Sequence, residues 1–559
     1  MSGLMAWPLS QKTVWLNFLL KLVLACLKRG TCRNDNKEKI LRSNIAGTTN
    51  TTINCHSRHR SRICFLSNTV TILAVLVVIS MATRLLFMGR HLDGWDSIDF
   101  ALGLSDYDIT CYQPHFPGYP VYMFLCRLVH LFTDNDTLAL TVPGAVLGSA
   151  ALVPLYYLTK RMFSEKVALL TVFIYIVNPL CWLQSEKAMS DAVGLFFIIL
   201  SAQLLFYATT TGRYAFWYLI FGSLALGICM GVRLSYFPFI LLWLYVFRTL
   251  SRTKEGKKMS CYGLYAFLTG ICAWLVPLVC FTGVKSFIIN GTRFTFGHFS
   301  DWGGSVATSQ NIFSRFTDFI WCLFGSGLGF WCYDTSAFRF LPTIIMGAGI
   351  IVYLRHARFD YKTRFITLYI LPYFVWVFFC QNLEKPRHIL PLIPIIIMCI
   401  SAGLAKLREF LSGYSGCSTG KEKVLSTYNL FIGILIVSMG IISVRLVYTH
   451  KNEPTAQIQL LDFVEHNYDG QSTRIYCWET KRLFTYYAPL WDARRARNIA
   501  DLKYDLDASW VKPEVILSTS KVNGINSITK DLKVIEFDNN RYSNNPYHKL
   551  TLYDLSILK

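Results

Sequence analysis

Apolar residues run along this chain in blocks, separated by short polar stretches. The first clear block covers about 69–88, and others follow at about 138–159, 166–183, 189–208, 214–231, 235–249, 262–284, 338–354, 364–380, 388–405 and 426–447. As helices, blocks of about 17–24 residues cross a hydrocarbon core ~30 Å thick. The pattern predicts an all-α polytopic membrane protein with about 11 transmembrane helices. A further apolar stretch, 317–332 (TDFIWCLFGSGLGFWC), is arbitrated by charge. Loops rich in Lys and Arg belong on the cytoplasmic side. The loops 248–258, 355–364 and 406–423 are all basic, and they share a side with the basic N-terminus only if 317–332 does not cross. It therefore reads as a re-entrant or interfacial segment. The loops 89–137 and 285–337, the turns 184–188 and 381–387, and the C-terminal end then lie together on the non-cytoplasmic side.

Two regions depart from this pattern. Residues 1–65 hold eleven Lys or Arg against Asp35 and Glu38, and read as a basic cytoplasmic tail. Within it Val14 to Leu27 is apolar but short and broken by Lys21, which suits an interfacial helix. Residues 66–447 form the transmembrane domain. Residues 448–559 are polar, with short β-like runs at Arg474–Trp478, Val515–Ser518, Val534–Phe537 and Leu550–Leu555 between helical stretches. A small non-cytoplasmic α/β soluble domain is expected there.

Composition agrees with the membrane class. The chain is 53% hydrophobic and 16% charged, against about one-quarter charged in ordinary soluble domains. Its net charge of +21 would suggest nucleic acid in a soluble protein. Here the cations sit in loops expected to be cytoplasmic and no nucleic-acid motif is present, so no nucleic-acid partner is expected. The 17 Cys are mostly single residues inside apolar runs and form no CxxC pair, so neither a zinc site nor a redox motif is inferred. Asn290-Gly-Thr292 is a candidate glycosylation acceptor, and Asn135-Asp-Thr137 lies too near the membrane for modification.

The loop after the first span carries the candidate chemistry. It contains Asp93, Asp96, Asp99, Asp106 and Asp108 within sixteen residues. Carboxylates at a membrane face are costly without a partner. Sugar transfer supplies a use for them: a base must take the proton of an acceptor hydroxyl, and cations must stabilise a departing phosphate. Acidic outer loops are also ordinary, and Asp96 could simply open a helix running to Leu104. Downstream, Pro114-His115-Phe116-Pro117-Gly118-Tyr119-Pro120 is dense in rigid residues. It either shapes the lead into the helix Val121–Phe132 or holds His115 and Tyr119 at a site mouth. A late set, Gln381-Asn382-Leu383-Glu384-Lys385-Pro386-Arg387-His388, places two cations and a His at a membrane boundary on the same side as the Asp residues. Arg suits phosphate binding, while a lone interfacial Arg commonly snorkels. Arg293, His298, Asp301 and Trp302 form a third set in the loop 285–337, and Lys187 and Arg233 sit at other turns on that side.

With these residues in view, the chain resembles the GT-C superfamily of multi-spanning glycosyltransferases, which includes the protein O-mannosyltransferases and the lipid A aminoarabinose transferase. The stretch Trp95-Asp96-Ser97-Ile98-Asp99-Phe100-Ala101 is similar to the family's first-loop acidic motif, with Ser97 where a second acid is usual. The box at 114–120 resembles the PHPPGYP box of one branch, with Phe116 in place of a Pro. Arg387-His388-Ile389-Leu390-Pro391 is similar to the family's Arg-Tyr-x-Leu-Pro box. The likeness covers roughly 66–410. It implies a polyprenyl- or dolichyl-phosphate sugar donor, inversion at the anomeric carbon, and a lipid bilayer of endoplasmic-reticulum type or a prokaryotic plasma membrane. Asp96 is the expected acceptor-side base, supported by Asp99 or Asp108. Lys385 and Arg387 are expected to hold the carrier phosphate, with His115, Tyr119, His298 and His388 lining the substrate pocket. No cofactor is expected, although the triplet Asp106-Tyr107-Asp108 has the form of a metal-binding DxD. The acceptor and the sugar stay open. So do two rival readings, a transporter or lipid scramblase and an inactive scaffold of the same fold.

Overall fold

The computed structural model describes residues 53–556, apart from 93, 309–310, 330–339, 415–417, 479, 497, 511, 520–532 and 540–548. The expected interfacial helix at Val14 to Leu27 lies outside the described residues. Among the described residues, eight helices are long and apolar enough to cross a membrane: Thr69–Phe87, Asp136–Met162, Asp191–Thr210, Ala215–Val232, Lys254–Thr282, Tyr361–Cys380, Pro386–Gly413 and Glu422–Asn467. The helices Glu165–Ile176 and Pro179–Glu186 pass the same test together, bent by 57°. Two shorter apolar helices cover Leu234–Leu250 and Phe340–His356.

The bend has a local cause. Pro179 has no N–H to continue the first helix, and it is well placed as the first residue of the second. Asn178 caps that second helix by accepting from the Cys181 N–H at 3.0 Å, and its amide donates to the Gly327 carbonyl at 2.9 Å. Gly327 closes the helical stretch Ile312–Ile320 and Trp321–Gly327, the described part of the ambiguous apolar segment. That stretch falls short of a span and packs against the break. It is pinned by Arg315, whose guanidinium donates to the carbonyls of Phe378, Gly304 and Gln381 at 2.5, 2.9 and 2.6 Å. These are carbonyls left open at a helix end.

Small residues set the closest helix approach. A Cβ on Gly270 would lie 2.7 Å from the Leu224 carbonyl oxygen and 3.0 Å from the Gly227 Cα. Ala215–Val232 and Lys254–Thr282 therefore touch backbone to backbone, as small residues permit in membrane bundles. Gly270→Leu is expected to force these helices apart and to cost roughly 1–3 kcal/mol, read as a lower unfolding temperature in detergent.

Among the described residues the C-terminal region holds five strands, β1 Thr473–Cys477, β2 Asp492–Arg495, β3 Val515–Ser518, β4 Val534–Asp538 and β5 Lys549–Asp554. They form one sheet in the order β2-β1-β3-β5-β4. β1 runs parallel to both β2 and β3, and β5 is antiparallel to β3 and β4. β2 (DARR) is polar and carries no period-two signal, so it escapes the sequence pattern. The short helix Lys481–Tyr487 links β1 to β2 and lies on the loop helix Trp95–Ser105. Leu92, Ile98 and Phe100 of the loop share one buried apolar cluster with Leu460, Ile475 and Leu483. The sheet is thus seated on the loop that carries the candidate carboxylates. Polar contacts fix it there: the Leu92 N–H donates to the Tyr487 hydroxyl at 2.8 Å, and the Tyr486 hydroxyl donates to Asp136 at 2.8 Å. The candidate glycosylation residue Asn290 lies within the helix Val284–Gly297 and donates to the Ser286 carbonyl at 2.9 Å.

Candidate active site

The loop helix Trp95–Ser105 is opened by Gly94 and Ser97 rather than by an Asp. The Ser97 hydroxyl accepts from the Gly94 N–H at 3.0 Å and donates to the Gly94 carbonyl at 2.7 Å. These two contacts occupy the Ser97 hydroxyl and leave Asp96 available. Asp96 and Asp99, three residues apart, lie on adjoining parts of one helix surface.

Asp96 faces the late box. Its carboxylate accepts from Arg387 Nη2 at 2.6 Å, joining residues 291 positions apart. Arg387 Nη1 lies 3.5 Å from the Met189 sulfur, and its Nε is buried with no hydrogen-bond partner. The Asp96 side chain keeps 22% of its surface exposed and that of Arg387 16%, so a small ligand can reach both. Burial works to raise the Asp96 pKa. The charges of Arg387, His115 and Lys385 outweigh it and hold this carboxyl well below the usual carboxylate range.

Asp99 faces the other way. Its Oδ2 lies 3.2 Å from His115 Nδ1 and accepts from Arg482 Nη1 at 3.0 Å. Only 3% of its side chain is exposed, and burial raises its pKa despite His115 and Arg482. His115 continues the line, with its Nε2 3.0 Å from the Tyr119 hydroxyl. Tyr119 adopts φ 48°, a left-handed conformation that is costly for a residue with a Cβ. Gly118 precedes it at φ 88°, where a Cβ would run into the Tyr107 hydroxyl. Tyr107 in turn donates to the Gly118 carbonyl at 2.8 Å. The rigid box thus aims the Tyr119 ring at His115, and Pro120 starts the next helix. Burial pushes the Tyr119 phenol up to about 12.

The remaining expected residues separate into near and far. Lys385 sits close enough for its charge to act on Asp96. His388 is buried in packing: its Nδ1 lies 2.9 Å from the Asn382 carbonyl oxygen, and its own carbonyl accepts from Tyr373 at 2.9 Å. It holds the turn that presents Arg387. His298 lies 2.7 Å from the Cys380 carbonyl oxygen through Nε2. Only a chain of rings, His298–Trp302–Phe294, connects it to His115, which stacks on Phe294 at 5.5 Å. Asp108 accepts from the Thr110 N–H and hydroxyl at 2.8 and 2.9 Å, shaping the turn that leads to the box. Among the described residues no group of three or more His, Cys, Asp and Glu is arranged to hold a metal ion.

Two residues of this neighbourhood escape sequence reasoning. Asp191 is fully buried and accepts from Arg233 Nη1 at 3.1 Å, with the Ser190 hydroxyl 3.2 Å from the same nitrogen. A carboxylate opening an otherwise apolar helix of 20 residues is a signal that could have found it. Arg482 has no such signal, being one cation among many in a polar region.

Residues 114–276 match the family model of dolichyl-phosphate-mannose-protein mannosyltransferases. The chain is similar in structure to ArnT from Cupriavidus metallidurans bound to undecaprenyl phosphate, with a TM-score of 0.54 and 10% identity, covering 87% of this chain and 97% of that one. The apo state of the same protein gives a TM-score of 0.52 and 11% identity, covering 89% and 99%. The oligosaccharyltransferase of Archaeoglobus fulgidus in its apo form gives a TM-score of 0.46 at 11% identity, covering 81% and 69%. No curated protein sequence matches significantly. The chain shares the fold of ArnT, and part of it matches a mannosyltransferase family model, in keeping with the resemblance.

Proposed function

We propose that this chain is a membrane-embedded inverting glycosyltransferase that moves a hexose, such as mannose, from a polyprenyl- or dolichyl-phosphate carrier to an acceptor hydroxyl. The observation that carries this reading is the contact between Asp96 and Arg387. It joins the two motifs that the chemistry needs, a carboxylate from the first loop and a cation from the late box. The matched ArnT structure holds undecaprenyl phosphate, and the matched family model is named for a dolichyl-phosphate sugar. Both support a lipid-phosphate donor here.

The geometry suits the reaction. A guanidinium binds phosphate through its N–H donors, and the Arg387 side chain keeps part of its surface exposed beside Asp96. Lys385 adds a second charge. Together they would stabilise the negative charge that gathers on the departing phosphate. Asp96 and Asp99 are the carboxylates of the site, and Tyr119 and His115 line the acceptor side. The bent pair as one crossing and the two shorter helices as two more, added to the eight, agree with eleven spans, and the site belongs on the non-cytoplasmic face. The membrane is that of the endoplasmic reticulum or its prokaryotic counterpart.

The test offers purified protein three labelled donors: dolichyl-phosphate mannose, dolichyl-phosphate glucose and undecaprenyl-phosphate aminoarabinose. Label transferred with inverted anomeric configuration supports the reading. Facilitated movement of intact lipid across vesicles, with every donor left whole, would replace it by the scramblase reading.

A further inference from the structure

The transferase reading leaves open which group takes the acceptor's proton, and this inference rests on that reading. Asp96 is the family-like choice, but it is already bonded to Arg387 at 2.6 Å. A carboxylate neutralised in this way is a weak base, because a general base works best with its pKa near the working pH. The second carboxylate has a different setting. Asp99, His115 and Tyr119 form a continuous line through contacts of 3.2 and 3.0 Å. The line leads from a buried carboxylate to a phenol whose charge environment includes both Asp96 and Arg387. Two carboxylates on one helix with pKa values pushed apart mark a division of roles.

We propose that Tyr119, His115 and Asp99 form the proton relay for the acceptor hydroxyl, that Arg482 of the C-terminal sheet region is its positioning residue, and that Asp96 instead aims Arg387 at the carrier phosphate. The acceptor oxygen bonds to the anomeric carbon while the bond from that carbon to the phosphate oxygen breaks, its electron pair leaving with the phosphate. The acceptor proton passes to the Tyr119 oxygen as the Tyr119 proton moves to His115 Nε2. The resulting imidazolium keeps its Nδ1–H on Asp99. Burial keeps Tyr119 a phenol, so it hands the proton on and does not store it. The proton leaves to solvent after turnover.

Arg482 gives the relay a dependence on the C-terminal region. It comes from the helix Lys481–Tyr487, and its Nη1 lies 3.0 Å from the Asp99 oxygen that also meets His115. Its charge favours the ionised carboxylate that the imidazolium needs. If the sheet were lifted from the loop helix, Asp99 would lose this cation.

The experiment compares wild type with His115→Ala, Asp99→Asn, Tyr119→Phe and Arg482→Met in the full chain. Labelled dolichyl-phosphate mannose is the donor and undecaprenyl phosphate the binding probe. The ionisable groups around His115 are Asp99 and Arg482 on one side, Tyr119 on the other, and Asp96 with its cations Arg387 and Lys385 beyond. The first three variants are expected to bind the probe as wild type does and to lose ~10²–10⁴-fold in transfer. Added imidazole should restore at least a tenth of the lost rate to His115→Ala, which a purely structural loss would not allow. In Arg482→Met the acid limb of the pH–rate profile should move to higher pH, because Asp99 loses a cation that favours its ionised form, and Arg482→Lys should move it back. Wild-type transfer rates in His115→Ala and Asp99→Asn, or loss of probe binding with no imidazole rescue, would overturn the relay while leaving the transferase reading intact. A wild type that uses no donor would overturn that reading, and the relay with it.

Discussion

Arg387→Met is expected to lower sugar transfer by at least ~10²–10³-fold, the usual loss when one preorganised charge-stabilising donor is removed. The loss should appear first as weaker binding of the carrier phosphate. Arg387 lies in a crowded place, with Asp96 at 2.6 Å and the Met189 sulfur at 3.5 Å. Lysine should not substitute well, since it brings a point charge in place of the planar guanidinium whose Nη2 meets Asp96 and whose Nη1 meets Met189. The variant also leaves Asp96 without its closest cation. The Asp96 pKa, held well below the usual range mainly by Arg387 acting against burial, should rise. A depressed carboxylate pKa contributes stability above the ordinary aspartate range, and that stability is lost as pH falls through the folded-state value. Wild type should therefore exceed Arg387→Met in stability at neutral pH, with the gap closing in acid. Unfolding of both proteins across pH 3–7, an interval of about four units around the ordinary aspartate value, checks this.

Arg233→Met is expected to have the largest effect on stability. Its partner Asp191 is fully buried, with one carboxylate oxygen on Arg233 and the other without a hydrogen-bond partner. Removing the cation strands a charge, which costs roughly 3–5 kcal/mol. Removing both charges with Arg233→Met and Asp191→Asn should be milder than the sum of the two single changes. Thermal unfolding of the four proteins in detergent gives the coupling directly. Additive effects would mean that the pair is not an energetic unit.

Much of this fold is written in the chain as lengths of apolar sequence, because a helix in hydrocarbon must satisfy its own backbone and needs a minimum length. Breaks are less visible. The bend at Asn178-Pro179 leaves 166–183 looking like one straight block, since hydropathy does not register a Pro placed where two short helices meet. The candidate site was legible where chemistry is local. Asp96, Asp99, His115 and Tyr119 lie within one loop, and the structure joins the last three in one line of contacts. The likeness between motifs put Asp96 and Arg387 in one site without their contact, since nothing in the loop itself points 291 residues ahead. His298 and His388 illustrate the limit of reading side-chain type alone: both turn a ring nitrogen to a backbone carbonyl oxygen. Arg482 could not be singled out, because its importance lies in how the C-terminal sheet sits on the loop helix.

Transfer of labelled mannose from dolichyl-phosphate mannose by purified wild type and Asp96→Asn, measured side by side at saturating donor, tests the central claim most directly. The account predicts labelled product with wild type and a loss of at least ~10²-fold in the variant, with both proteins equally folded. Equal transfer by the two proteins would contradict it, because the carboxylate that meets Arg387 would then have no part in the reaction.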